Sequence, residues 1–171
     1  AAEYDDVRAQ IANSYMMAGK LGKARDLAVE SARRSGDKVP LAGWVGGLAA
    51  WQQGAYKVAA PLFELTAKSP YASPWTAAAG SYWASRAHMR NGNIKDVSMW
   101  LRRAADHPRT FYGLIATRAL GWDFDFNWEM PNYTASHKAQ LKKYDAAQRA
   151  MLLVRAGQFH LAEKELRQIN P

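Results

Sequence analysis

Apolar residues recur along most of this chain at the i, i+3, i+4 spacing of helices that bury one face. From Glu3 to about Leu120 the pattern predicts helix after helix. The first pair spans about 3–18 and 21–35, with Val7, Ile11 and Tyr15, then Ala24, Leu27 and Ala28, facing inward. A second pair begins after Pro40, where Leu41, Trp44, Val45, Leu48 and Trp51 form one stripe, and it continues through Ala59, Leu62, Phe63 and Ala67. Ser69–Pro70 and Ser73–Pro74 punctuate the next boundary, and Ser73 is the expected N-cap with proline at the first helical position. The third pair covers about 74–91 and 94–105; His107–Pro108 breaks it, and a further helix runs from about 109 to 120. Residues 122–134, WDFDFNWEMPNYT, alternate aromatics with acids and carry no helical period, which predicts an extended, partly buried connector. A short helix near 135–143 and a pair at about 145–156 and 159–169 close the chain.

The junctions within these pairs share a signature. A glycine is followed two residues later by an apolar residue and five residues later by a small apolar one: Gly19/Leu21/Ala24, Gly54/Tyr56/Ala59, Gly92/Ile94/Val97 and Gly157/Phe159/Ala162. The glycine supplies the left-handed backbone that ends a helix, and the small residue lets the next helix pack closely. The first three glycines are spaced by 35 and 38 residues, near the period of about 34 in tetratricopeptide repeats. The predicted fold is therefore all-α, a tetratricopeptide-like α-solenoid of antiparallel helix pairs. The 65-residue gap before the last glycine is accounted for by the connector. The expected organisation is repeat pairs over 1–121, an aromatic connector over 122–134, and a closing helical pair within 135–171.

Composition narrows the function classes. Hydrophobic residues make up 49% of the 171 positions, including seven tryptophans, which argues against disorder. A formal net charge of +8 favours anionic partners. The cations are dispersed, however, in doublets such as Arg33–Arg34, Arg102–Arg103 and Lys142–Lys143, without a basic stripe or nucleic-acid-binding motif. Nucleic acid is not an expected partner. Without cysteine there are no disulfides and no thiolate metal sites. No apolar run reaches the roughly 18 residues that span a bilayer, so no transmembrane segment is expected.

Candidate chemistry is sparse. Asp123, Asp125 and Asn127 match the opening of a calcium loop, but Trp128 and Thr134 stand where its glycine and glutamate belong. The four histidines, His88, His107, His137 and His160, lack metal-ligand spacing. There is no nucleophile elbow and no phosphate-cradling glycine loop. No metal and no cofactor is expected. Trp44, Trp51, Trp75, Trp83 and Trp100 read as core between helix layers, because they recur at helical spacing. Trp122 and Trp128, in the connector, are the candidates for contact with a glycan.

Residues 81–121, SYWASRAHMRNGNIKDVSMWLRRAADHPRTFYGLIATRALG, resemble soluble lytic murein transglycosylases, in the helical superhelix that precedes their lysozyme-like catalytic domain. The matching positions are Tyr82, Trp83, Arg86 and Ala87, then Trp100, Leu101, Ala104 and Ala105. They continue with Thr110, Phe111, Tyr112, Gly113, Leu114 and Ala116, and end at Leu120–Gly121. The stretch that follows and the segment AGQFHLAEKELRQI are similar to the family's approach to its catalytic domain, and residues 1–80 only to generic helical repeats. The family's catalytic glutamate–serine pair with its glycine-led G-L-M-Q segment is missing; Glu30–Ser31 is a bare dipeptide. No catalytic residue carries over. Tyr82, Trp83, Arg86, Trp100, Phe111, Tyr112 and Gly113 carry over as a structural motif, with Arg86 and Tyr112 in packing and hydrogen-bonding roles.

What the resemblance implies is a periplasmic protein whose signal peptide lies outside this chain. Its parent would cleave the β-1,4 bond of peptidoglycan to a 1,6-anhydro product, using a glutamate beyond Pro171. The expected partners are glycan strands, held weakly and electrostatically, and a downstream catalytic domain of the same protein. The alternative is a stand-alone repeat adaptor that binds peptides or an envelope protein.

Overall fold

A computed structural model describes residues 1–124, Phe126, Glu129 and 132–169. Among them are ten helices and no strand: α1 (Ala2–Met17), α2 (Leu21–Ser35), α3 (Pro40–Gln52), α4 (Tyr56–Lys68), α5 (Pro74–Arg90), α6 (Ile94–Ala105), α7 (Phe111–Ala119), α8 (Ala135–Leu141), α9 (Asp145–Arg155) and α10 (Phe159–Leu166). Two compact units divide the chain, Ala1–Asp125 and Phe126–Pro171. Helices pack in consecutive pairs. In the first unit each also packs on the next, while α1 touches α3, α3 touches α5 and α5 touches α7, so the odd-numbered helices share one layer. In the second unit α9 pairs with α10.

The glycine signature works as its chemistry requires. Gly19, Gly92 and Gly157 have φ of +73° and Gly54 of +72°. The next residue's N–H reaches back to a carbonyl five positions earlier, as in Lys20 to Tyr15 at 2.9 Å and Gln158 to Leu153 at 2.8 Å. That is the Schellman closure of a helix end. The partner residues Ala24, Ala59, Val97 and Ala162 are all buried. Gly121 repeats the cap after α7, with Trp122 N–H on Thr117 O at 3.0 Å, although no helix follows at once. Ser73 caps α5 as expected, its hydroxyl accepting from Thr76 N at 3.2 Å.

Small residues set how close the helices come. A methyl at Gly43 would lie 2.6 Å from Leu62 O, and one at Gly80 would lie 2.8 Å from Ala67 N and 2.9 Å from Phe63 O. Backbones of α3 and α5 thus press directly on α4. Alanines fill most of the core, and Phe63, Trp100 and Val45 are its largest fully buried apolar side chains. Close helix contact maximises the number of dispersion partners per residue.

This close packing corrects the expected inward faces. Val7 and Ile11 are 54% and 46% exposed, and α1 instead buries Asp5, Ala9, Ala12 and Met16. On α3 only Val45 of the predicted stripe is fully buried, while Ala42, Gly43, Gly46, Gly47, Ala49 and Ala50 make the contact. Leu41, Trp44, Leu48 and Trp51 stand half-buried along its edge. Trp75, read as core, is 60% exposed. Bulky side chains would hold these helices apart, so they are displaced to the flanks.

One charge is buried deliberately. Asp5 accepts from Arg34 Nη2 at 2.5 Å and from Ser35 Oγ at 2.7 Å, tying α1 to α2. The Arg34 hydrogen bond, then that of Ser35, holds its carboxyl below the usual carboxylate range. Arg34 itself is held above its ordinary value by that same bond.

Candidate ligand-binding face

The helices α3, α5 and α7 contain no aspartate or glutamate, and Arg86, Arg90 and Arg118 are their only Lys or Arg residues. Acids sit instead on α1, α2, α4 and α6. The odd layer beyond α1 is thus apolar, aromatic and cationic.

Its rings form a continuous chain, bridged between α3 and α5 by the buried Phe63 of α4. Trp44 meets Phe63 at 5.8 Å between centroids, Phe63 meets Trp83 at 5.9 Å, and Trp83 meets Trp51 edge-on at 5.2 Å. Trp83 also meets Tyr82 at 6.5 Å, and Tyr82 crosses from α5 to Tyr112 on α7 at 5.3 Å. Phe111 ends the row, 5.2 Å from Tyr112. These separations are those of aromatic pairs that interact beyond simple burial. Where α3, α5 and α7 meet, Leu41, Trp44, Trp75, Phe111 and Tyr112 line a cleft of about 370 Å³ with no charged residue on its walls. Trp75 and Phe111 are 60% and 59% exposed, so ring faces are available to solvent.

Arg86 lies beside this row. Its guanidinium carbon is 5.8 Å from the Trp51 ring centroid, 5.9 Å from Tyr82 and 6.0 Å from Trp83, within cation–π range. Its Nη1 donates to the Tyr82 hydroxyl at 3.3 Å. One turn on, Arg90 lies 4.9 Å over Tyr56 and donates to that hydroxyl at 3.0 Å. Neither arginine forms an ion pair among the described residues, whereas Arg8, Arg25, Arg34, Arg149 and Arg167 each do. Trp83 buries its Nε1 without an acceptor among the described residues, a cost that fixed packing of the ring must offset.

A larger hollow of about 550 Å³ opens between α4 and α6 but has a different character. Half of its six charged residues are engaged locally, whereas Arg102, Arg103 and Asp106 form no ion pair among the described residues. Glu64 accepts from Lys68 at 3.1 Å and pairs with His88 Nε2 at 2.8 Å, and Asp96 takes Asn93 Nδ2 at 2.5 Å. Lys68 and Arg103 flank Trp100, at 5.1 and 5.7 Å from its ring, over a side chain that is itself buried.

The family-like positions divide between these two faces. Tyr82, Trp83 and Arg86 on α5 come together with Phe111 and Tyr112 on α7. Gly113 is buried against His107 and Thr110, and Trp100 faces the α4–α6 side. Trp122 follows the α7 cap and is 46% exposed. Trp128, Asp125 and Asn127 lie outside the described residues. Of the tryptophans expected in the core, Trp75 is exposed, while Trp44 is half-buried against the core and also lines the cleft; the local sign of this face is the absence of acids from 40–52, 74–90 and 111–119. No group of three or more His, Cys, Asp or Glu among the described residues is placed to hold a metal ion. No described helix is long and apolar enough to cross a membrane. No protein-family model, curated protein or solved structure matches this chain.

Proposed function

We propose that the chain is a non-catalytic, tetratricopeptide-like α-solenoid segment of a periplasmic lytic transglycosylase, and that it holds peptidoglycan strands for a catalytic domain of the same protein. The observation that carries this reading is the acid-free face of α3, α5 and α7, where the exposed rings of Trp75 and Phe111 line a cleft and Arg86, in no ion pair among the described residues, lies near the half-buried Trp51, Tyr82 and Trp83. Aromatic faces stack on the C–H faces of pyranose rings, and a cation suits a polymer that bears carboxylates. The family resemblance supports it independently, since Tyr82, Trp83, Arg86, Phe111 and Tyr112 are both the motif residues and members of this face. The glycine-capped pairs support the solenoid form. Trp122 adds a further exposed ring after α7.

Sedimentation with purified sacculi tests the reading. Retention is expected at low ionic strength and is expected to fall as salt rises, because the Debye length shrinks from about 10 Å at 0.1 M to about 3 Å at 1 M. The same incubations are expected to release no anhydro-muropeptides, since no carboxyl of residues 1–171 has the context of the family's acid. The adaptor reading draws on the uncharged walls of the Trp44–Trp75 cleft, which suit an apolar peptide side chain. Salt-insensitive binding to one envelope protein, without retention on sacculi, would replace the first reading with the second.

A further inference from the structure

Resting on the glycan reading above, we propose that this face is bipartite. The Trp44–Trp75–Phe111–Tyr112 cleft takes an uncharged sugar ring, and Arg86 reads a free carboxylate on a neighbouring substituent of the same strand. The two halves are joined physically. Tyr112 lines the cleft, its ring packs on Tyr82 at 5.3 Å, and Tyr82 accepts the Arg86 Nη1 hydrogen bond with its ring centroid 5.9 Å from the guanidinium carbon. Three rings lie within cation–π range of the guanidinium and the Tyr82 hydroxyl accepts one of its hydrogen bonds, which restrains the side chain before binding. Only one of its five N–H groups has an acceptor among the described residues. The others are free for the fork geometry that suits a carboxylate.

Charge distribution selects among anionic polymers. A nucleic-acid strand carries a phosphate at every unit, and proteins that track such strands line the groove with cations. Here the cleft walls carry none, and Arg86 and Arg90 stand to one side. A strand of uncharged rings with carboxylated substituents matches both parts. A uniformly charged strand leaves charges unmatched inside the cleft.

The test compares native sacculi with sacculi whose carboxylates have been coupled to methylamine as neutral amides, at low salt. The parent chain is expected to bind native material about fivefold better than blocked material, the scale of one well-placed charge pair. Arg86→Gln is expected to lose most of that preference and Arg86→Lys to keep much of it. Arg33→Gln removes an exposed cation from α2 and should leave the preference unchanged. Trp75→Ala is expected to weaken retention on both materials alike. Unchanged melting temperatures establish that the variants are folded. If Arg86→Gln keeps the parent's preference, or Arg33→Gln loses it equally, the assignment of Arg86 is overturned while the glycan reading stands. If the parent does not sediment with native sacculi at all, the glycan reading itself falls. Tighter binding to oligo(dT) than to sacculus fragments overturns both.

Discussion

The substitution Gly113→Ala isolates the tightest backbone contact in α7. A methyl there would lie 2.7 Å from the His107 carbonyl carbon, closer still to its oxygen, and 2.9 Å from Thr110 Oγ1. The obstacle is backbone and cannot swing aside. It is also tied down, because Thr110 Oγ1 donates to His107 O at 2.9 Å and accepts from Gly113 N at 3.0 Å as the α7 N-cap. Overpacking of this kind costs about 1–3 kcal/mol, and disturbing the cap costs about 1 kcal/mol more. Replacing glycine by alanine inside a helix returns about 1 kcal/mol through propensity. The net expectation is a loss of about 2 kcal/mol, or about 4–8 °C in Tm for a chain of this size. Gly22→Ala on α2 is the control, because nothing lies closer to its added methyl than Gln53 Nε2 at 3.9 Å. The same chemical change there is expected to stabilise by about 0.4–1 kcal/mol through reduced chain entropy. Thermal unfolding followed by far-UV circular dichroism reads both. If Gly113→Ala melts at or above the parent, the His107 carbonyl does not constrain α7 and the contact argument fails.

Acid should loosen the α1–α2 pair through Asp5. Its folded pKa lies below the unfolded one because Arg34 and Ser35 bond its carboxylate. The stabilisation is therefore complete above the ordinary value of about 3.9 and is lost as pH falls through the lowered folded value. Asp5→Asn should flatten that acid limb in denaturant titrations run downward from about pH 5; an unchanged limb would assign acid sensitivity elsewhere. Phe63→Ala, at a fully buried ring packed against Trp44 and Trp83, should cost about 3–5 kcal/mol in urea unfolding. A loss under about 1 kcal/mol would mean that the core collapses around the gap.

Helix ends were legible in the sequence because they depend on local chemistry. Only glycine takes the φ of +73° at Gly19, Gly92 and Gly157 without strain, and Ser73–Pro74 starts α5 through its own side chain. Which face turns inward was less legible. A stripe of large apolar residues is normally read as core, yet this fold brings backbones together over alanine and glycine and leaves Val7, Ile11 and Trp75 outside. The candidate face was hidden for a different reason. Its rings come from 40–52, 74–90 and 111–119, and nothing local to Tyr82 signals that Tyr112 will pack 5.3 Å away. What was written locally was the absence of carboxylates from those three segments. Trp122 stands out in the sequence because it interrupts a helical pattern, whereas Trp75 fits one and is nonetheless exposed.

The central claim, that the α3–α5–α7 face binds a carboxylated glycan, can be read from the tryptophans themselves. Their indole N–H signals in a ¹H–¹⁵N correlation spectrum report separate places, with Trp44 and Trp75 in the cleft, Trp51 and Trp83 beneath Arg86, and Trp100 on the α4–α6 side. Adding soluble glycan fragments that retain their peptide carboxylates should shift Trp44 and Trp75 most, move Trp51 and Trp83 with them, and leave Trp100 in place. Shifts confined to Trp100 or Trp122, or binding that moves no indole of the cleft, would contradict the account.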